Sequence, residues 1–127
     1  MRTELLLPYP PSVNGLFATN RKTGGRFKSK PYKKWITAAG WAIRTQPDRS
    51  HEHRGSVRMT LLIRKPDDNR KRDKNNLIKA VEDLLVLHRI LADDNLIEES
   101  EIRWVHEGFD GAKVIIEDLP SMTKAGD

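Results

Sequence analysis

The sequence predicts an α+β domain: a small mixed β-sheet of about four strands with two main helices packed on it. Three observations carry that expectation. Val57, Met59, Leu61 and Ile63 alternate with Arg58, Thr60 and Arg64, the period of a half-buried strand. Apolar residues recur at helical spacing in two other segments, Trp35 to Ile43 and Leu77 to Leu85. The resulting order of strand, helix, strand, helix, strand, strand suits a sheet whose helices lie mainly on one face. With 127 residues the chain has the size of one domain, expected over residues 1–120, and the polar tail at 121–127 should fray.

Each element has a local reason. Thr3 to Leu7 reads as a short strand stopped by "PYPP", because proline removes ladder donors and biases its predecessor to extended geometry. Ser12 to Lys30, rich in Asn, Gly, Thr and Lys, reads as a long loop, a length that in a compact domain points to function or disorder. Pro31 suits the first position of a helix whose face carries Trp35, Ala38, Ala39, Ala42 and Ile43. "TQPDRSHEHRG" ends that helix in a polar connection before the Val57–Ile63 strand, where Leu62 breaks the alternation. Leu77, Val81, Leu84 and Leu85 place the second helix at about residues 76–88, and the chain turns at "ADDN". Glu101 to His106 and Ala112 to Asp118, separated by "EGFDG", should pair as a hairpin.

There is no cysteine, which excludes disulfides and thiolate metal sites. The apolar run at the N-terminus is too short for a signal peptide, and no segment approaches the ~18 apolar residues of a membrane span, so the expected location is the cytoplasm. The net charge is +5, yet Leu5 to Pro47 alone holds eight bases and no acid: Arg21, Lys22, Arg26, Lys28, Lys30, Lys33, Lys34 and Arg44. That asymmetry is the footprint of a polyanionic ligand. A solvated loop and helix face would account for it less well.

A second basic run, Arg70, Lys71, Arg72 and Lys74, encloses the carboxylate of Asp73 just before the second helix. Acids cluster on both sides of that helix, with Asp67, Asp68 and Asp73 before it and Asp93 and Asp94 after it. A helix of about a dozen residues separates its ends by ~18 Å, so the clusters meet only if the chain folds back. Converging carboxylates are the hard oxygen donors that Mg²⁺ takes, with water and substrate phosphate completing the octahedron. Taken singly, Asp73 is also a good helix N-cap, and Asp93 and Asp94 are ordinary turn residues. With Leu77 at zero on a helical wheel, Asn75, Lys79 and Asp83 fall near ~160°, ~200° and ~240°, away from the apolar stripe. Lys79 can therefore face a phosphate or simply pair with Asp83 one turn on. His51, His53, His88 and His106 show no metal-ligand spacing on a shared helix face and read as surface or satisfied residues, and "KTGGRFKSK" is a flexible basic loop rather than a phosphate-binding glycine motif.

"LPYPPSVNGLF" with the basic loop after it, "RKRDKNNLIKAVEDLL" and "ILADDNLIEE", in this order and spacing, resemble the RusA-type Holliday junction resolvases across nearly the whole chain. The resemblance implies a RusA-like fold and a homodimeric, Mg²⁺-dependent endonuclease, with Mn²⁺ a possible substitute, that cuts four-way DNA junctions by paired symmetric nicks in recombination and repair. It also implies a bacterial or phage-encoded protein. The family motif, Asp-x-Asp-Asn followed by a lysine three residues on, is matched by Asp73, Asn76 and Lys79, and Asp94 matches a further metal-binding aspartate. Asn75 stands where the second aspartate is expected. Its neutral carbonyl still coordinates, but the site loses one negative charge and should hold Mg²⁺ less tightly. Three outcomes are open: a weakened enzyme, rescue by Asp67, Asp68, Asp83 or Asp93, or a junction-binding protein that no longer cuts, the change being natural or introduced.

Charge and resemblance together place phosphate contacts at Asn14, Gly15, Arg21, Lys22, Arg26 and Lys28 in the N-terminal loop, and at Arg70, Lys71 and Arg72 beside the metal. Such contacts set affinity and salt sensitivity rather than sequence preference. Phe17 and Phe27 are candidates either to stack at a junction or to anchor the loop.

Overall fold

A computed structural model describes residues 1–47, 52–68 and 70–120. His51 and the tail at 121–127 lie outside them. Six strands and two α-helices follow in the order β1 (Arg2–Leu7), β2 (Phe17–Thr19), β3 (Arg26–Lys28), α1 (Lys30–Arg44), β4 (Val57–Arg64), α2 (Ile78–Leu87), β5 (Ile97–Val105) and β6 (Ala112–Asp118). Four of the strands form one mixed sheet in the order β1-β6-β4-β5, as an α+β domain requires, and β2 and β3 form a separate two-stranded sheet.

β4 is the strand that the alternation foretold: Val57, Met59, Leu61 and Ile63 are all fully buried. β5 lies parallel to it, from Val57↔Ile97 to Arg64↔Val105, and parallel neighbours need a crossover, which α2 supplies. The expected β5–β6 hairpin does not form. β6 passes over the end of β4 and inserts on its far side, antiparallel to both β4 and β1. Both ends of that hop are tied to the end of β4: Lys65 N donates to Val105 O and Arg64 N to Gly111 O, each at 2.9 Å. β6 has the burial to match a central position, with Ala112, Val114 and Ile116 fully buried. β5 in turn begins at Ile97 rather than Glu101, because β4 offers it a full-length parallel partner. It lies at the sheet edge with Glu98, Glu99 and Ser100 exposed, a charged edge that discourages further strand pairing.

α1 starts as its cap dictates. Ser29 Oγ accepts from Tyr32 N, which sets the start of α1 at Lys30 with Pro31 in its first turn. The buried stripe of α1 is Tyr32, Trp35, Ala39, Gly40 and Ile43; Ala38, expected on it, is exposed. Trp41 is 61% exposed and carries the Arg44 guanidinium on its ring at 4.9 Å. The segment before α2 is tighter than an α-helix: residues Lys74–Leu77 form a 3₁₀ turn, after which α2 buries Ala80, Val81, Leu84 and Leu85. These side chains join the inward residues of β1, β4 and β6 in one core.

The N-terminal loop is more ordered than its composition suggested. It contains the β2–β3 hairpin, whose turn is closed by Asn20: its side-chain oxygen accepts from Lys22 N at 2.8 Å and Thr23 N at 3.3 Å. Buried Leu16 and the Ser29 Oγ to Gly15 O hydrogen bond of 2.6 Å fix this arm to the start of α1.

Histidine 53 is fully buried and satisfied, with Nε2 2.8 Å from Thr3 Oγ1 and Nδ1 2.6 Å from Asp118 Oδ1. It thus joins β1, the segment before β4 and the end of β6. His88 is half-buried against Gly40, its pKa lowered by burial and then by the charge of Arg44, and His106 is exposed.

Candidate functional site

Asp73 caps the 3₁₀ turn, its Oδ1 accepting from Asn75 N at 2.9 Å. Capping uses one oxygen and leaves the exposed carboxylate at the rim of a cavity of about 570 Å³. The walls come from two distant segments: Tyr9 to Asn14 after β1, and Arg70 to Leu77 before α2. Trp35 closes one side while its Nε1 donates to Pro8 O at 3.0 Å. Of the residues selected from the sequence, this cavity brings together Asn14, Arg70, Lys71, Arg72 and Asp73, with Asn76 beside them. The acid among bases therefore sits exposed at the edge of a concave, cationic surface.

Lys79 and Asp94 lie apart from that lining, around the exposed side of α2. Lys79 Nζ pairs with Asp83 Oδ1 at 3.1 Å, and both side chains are partly exposed. The Asp83 carboxylate chiefly, then Asp94 and Glu82, raise the Lys79 pKa, so the amine stays charged at neutral pH. Asp94 sits in the first turn of a short 3₁₀ segment, residues Asp94–Leu96, which Asp93 caps by accepting from Asn95 N at 3.0 Å. Asn75 is exposed and lines no part of the cavity.

Glu82 belongs to this group, and the sequence reading passed over it. Burial raises its carboxyl pKa, and the nearby Asp94 carboxylate raises it further, against the lowering influence of Lys79. The helical wheel held the signal: Glu82 falls near ~140°, beside Asn75 at ~160°. Three of the other acids considered as replacements for the missing carboxylate, all but the exposed Asp67, have work already. Asp68 binds Arg72 Nη1 at 2.5 Å, which lowers its pKa; Asp83 holds Lys79; Asp93 caps its turn.

The other expected phosphate contacts lie along the hairpin arm. Arg21 and Lys22 are at its tip, Lys28 pairs in register with Phe17, and Arg26 stacks on the Phe17 ring at 4.8 Å, all four bases exposed. Phe17 also meets Tyr32 edge-on at 6.1 Å between centroids, so it is a packing anchor with one face given to a cation. Phe27 is 49% exposed. Gly15 has open space where a Cβ would project, so its exposed turn does not depend on glycine for steric reasons.

A sequence model of the family described as "Endodeoxyribonuclease RusA" matches residues 8–117. The chain belongs to the RusA endodeoxyribonuclease family. It is also 29% identical over 118 residues to "Crossover junction endodeoxyribonuclease RusA" of Aquifex aeolicus (strain VF5), covering 91% of this chain and 88% of that protein. The RusA match begins at Pro8 and ends at Glu117, and so takes in the Pro-rich wall of the cavity, both helices and the central strand.

RusA-family endonucleases are generally dependent on a divalent metal. Among the described residues no three His, Asp or Glu side chains stand together as a site that could hold an ion. Mg²⁺ does not require a complete protein cage, since one or two carboxylates can supplement water and substrate phosphate. Among the described residues, no helix is long and apolar enough to cross a membrane.

Proposed function

We propose that this protein is a structure-selective endonuclease that resolves four-way DNA junctions by paired symmetric nicks. The reading rests on membership of the family across residues 8–117. The geometric observation that favours it is the placement of Asp73 in one cavity with Arg70, Lys71, Arg72 and Asn14, an acid held where a phosphate backbone would be held. A second copy of the chain completes the machinery, since two matched cuts on a symmetric junction suit a two-fold dimer.

In this reading the basic residues act first. Arg70 to Arg72 and the hairpin bases Arg21, Lys22, Arg26 and Lys28 bind strand phosphates and set register without reading sequence. Lys79, kept protonated by its pairing with Asp83, offers its cation to the charge that develops on the scissile phosphate. Asp73 and Asp94 would hold Mg²⁺ or Mn²⁺, with the Asn75 carbonyl as a neutral third donor. The ion, when bound, supplies Lewis-acid polarisation of the phosphodiester and a more acidic water.

The experiment is binding and cleavage of a synthetic four-way junction against linear duplex, with and without Mg²⁺ or Mn²⁺. Paired nicks in the junction alone support the reading; equal handling of both substrates refutes it. A second reading, a junction-binding protein that does not cut, is favoured by the neutral Asn75 and the lack of a three-acid group among the described residues. It predicts junction retention in a gel shift with no cleavage under any divalent ion.

A further inference from the structure

We propose that Lys65, Arg70, Lys71 and Arg72 form a second phosphate cleft beside the Trp35-walled cavity, in which the protein's own Asp68 carboxylate takes the place of a DNA phosphate and is displaced when a strand binds. This assignment rests on the DNA-binding part of the functional reading above, and adds to it one contact, Lys65, and one internal competitor.

The cleft is lined by four cationic side chains and the single carboxylate of Asp68, around a space of about 490 Å³. Lys65 stands just past the end of β4, where its backbone N donates to Val105 O and ties this side of the cleft to the sheet. Arg70, Lys71 and Arg72 line the larger cavity as well, so the two openings share a basic wall. One oxygen of the acid, Asp68 Oδ1, accepts from both Arg70 N at 3.1 Å and Arg72 Nη1 at 2.5 Å. A backbone amide and a guanidinium are donors that proteins present to phosphate oxygens. The hydrogen bond from Arg72 chiefly, and then the Arg70 amide and the neighbouring cationic charges, hold the Asp68 carboxyl below the ordinary carboxylate range, so it is an anion at neutral pH.

Competition follows from the donors and the charges. The N–H groups that Asp68 holds are withheld from a phosphate, and a carboxylate in the same cleft repels one. Exchange costs little, because the Arg72 and Asp68 side chains are 23% and 37% exposed and a partly exposed ion pair contributes only modestly. An acid that merely braced Arg72 for DNA would act in the opposite sense, since its removal would loosen the grip. As a competitor, Asp68 keeps the grip weaker than the surrounding bases alone would make it and so favours release of a bound strand.

Asp68→Asn removes the charge, keeps the shape and leaves an oxygen that can still accept from Arg70 N. Affinity for a four-way junction and for linear duplex is measured in EDTA, so that no divalent ion enters the comparison. Asp68→Asn should bind both about two- to fivefold more tightly than wild type, the effect of one partly exposed ion pair. Its salt slope should be steeper by about 1, because Arg72 no longer leaves one anion for another. Asp67→Asn makes the same change of net charge at the exposed neighbour and should give a smaller gain. In an Arg72→Ala background Asp68→Asn should lose its advantage, and Lys65→Ala should weaken binding with a salt slope lower by about 1. Equal or weaker binding by Asp68→Asn overturns the competitor, as does an equal gain from Asp67→Asn, and unchanged affinity of Lys65→Ala overturns the cleft as a phosphate site. The functional reading fails separately, by equal binding and cutting of junction and duplex in wild type; a gain confined to Asp68→Asn would then still support the phosphate cleft.

Discussion

Replacing Gly111 by alanine tests the strand arrangement beside the cavity. Gly111 has φ +78°, and an added Cβ would lie 2.2 Å from the carbonyl oxygen of Leu7 and 3.2 Å from Pro8 Cα. The obstacle is backbone, so no side chain can swing away. Left-handed geometry costs an L-residue roughly 1–2 kcal/mol, and forcing an overpacked contact about 1–3 kcal/mol more. A total on the order of 2–5 kcal/mol is a large share of the ~5–15 kcal/mol that holds a typical domain together. Gly108→Ala is the internal control: its φ is also positive, +107°, but nothing lies within 4 Å of the added carbon. It should cost only the conformational part, about 1–2 kcal/mol. Urea denaturation followed by circular dichroism, with m compared between variants, gives both numbers. If Gly111→Ala is no more costly than Gly108→Ala, the close approach of β6 to the end of β1 is wrong. The same displacement pushes on Leu7 and Pro8, and so on Tyr9, so whatever Gly111→Ala protein remains folded should also bind junction DNA more weakly.

Further outcomes follow from the site and its supports. Asp94→Asn should abolish cutting while leaving junction retention in a gel shift intact; retained cutting removes Asp94 from the site. Asn75→Asp restores a carboxylate and should raise the cleavage rate, whereas an unchanged rate means that another group already serves, Glu82 being a candidate because the Asp94 carboxylate raises its pKa. Arg70→Ala and Lys71→Ala should weaken binding evenly across DNA sequences and each lower the salt slope by about 1, read from affinity against salt concentration. His53 holds the Asp118 carboxyl below its ordinary pKa. The stabilisation from that pairing is present above the ordinary aspartate pKa of about 3.9 and is lost as pH falls through the lower folded value. Melting temperatures of wild type and Asp118→Asn, measured from pH 7 to 3, should therefore differ at neutral pH and converge in acid.

What the residues disclosed in advance depended on the range of the interaction. β4 and the buried face of α2 were legible because alternation and helical spacing are local properties, and the structure buries Val57, Met59, Leu61 and Ile63, and Val81, Leu84 and Leu85, accordingly. α1 was legible apart from its rotation, since Tyr32 rather than Ala38 is the residue that packs. The position of β6 was not, because "AKVIIED" would serve equally as the second strand of a hairpin or as a central strand. Only the competition of β5 for the other edge of β4 decides between them. For the site, Asp73 announced itself as an acid inside a basic run. That Tyr9 and Asn14 would share its cavity depends on tertiary contact between segments some sixty residues apart. The Lys79–Asp83 pair was written into their spacing, but the nearness of Glu82 to Asp94 came from the fold-back after α2.

The central position of β6 also constrains when the protein can come into being. Within the main sheet β1 is bonded to β6 alone, starting with Arg2 opposite Glu117. During synthesis the first strand must wait without its partner until Ala112 to Asp118 have left the ribosome, and contacts so distant along a chain form slowly. A nascent chain stalled ahead of Ala112 should be digested readily by protease, while one extended past Asp118 should resist. Both walls of the cationic cavity meet only once that strand has closed the sheet, so the growing polypeptide carries its cationic segments without a formed cavity for them until the last strand is in place.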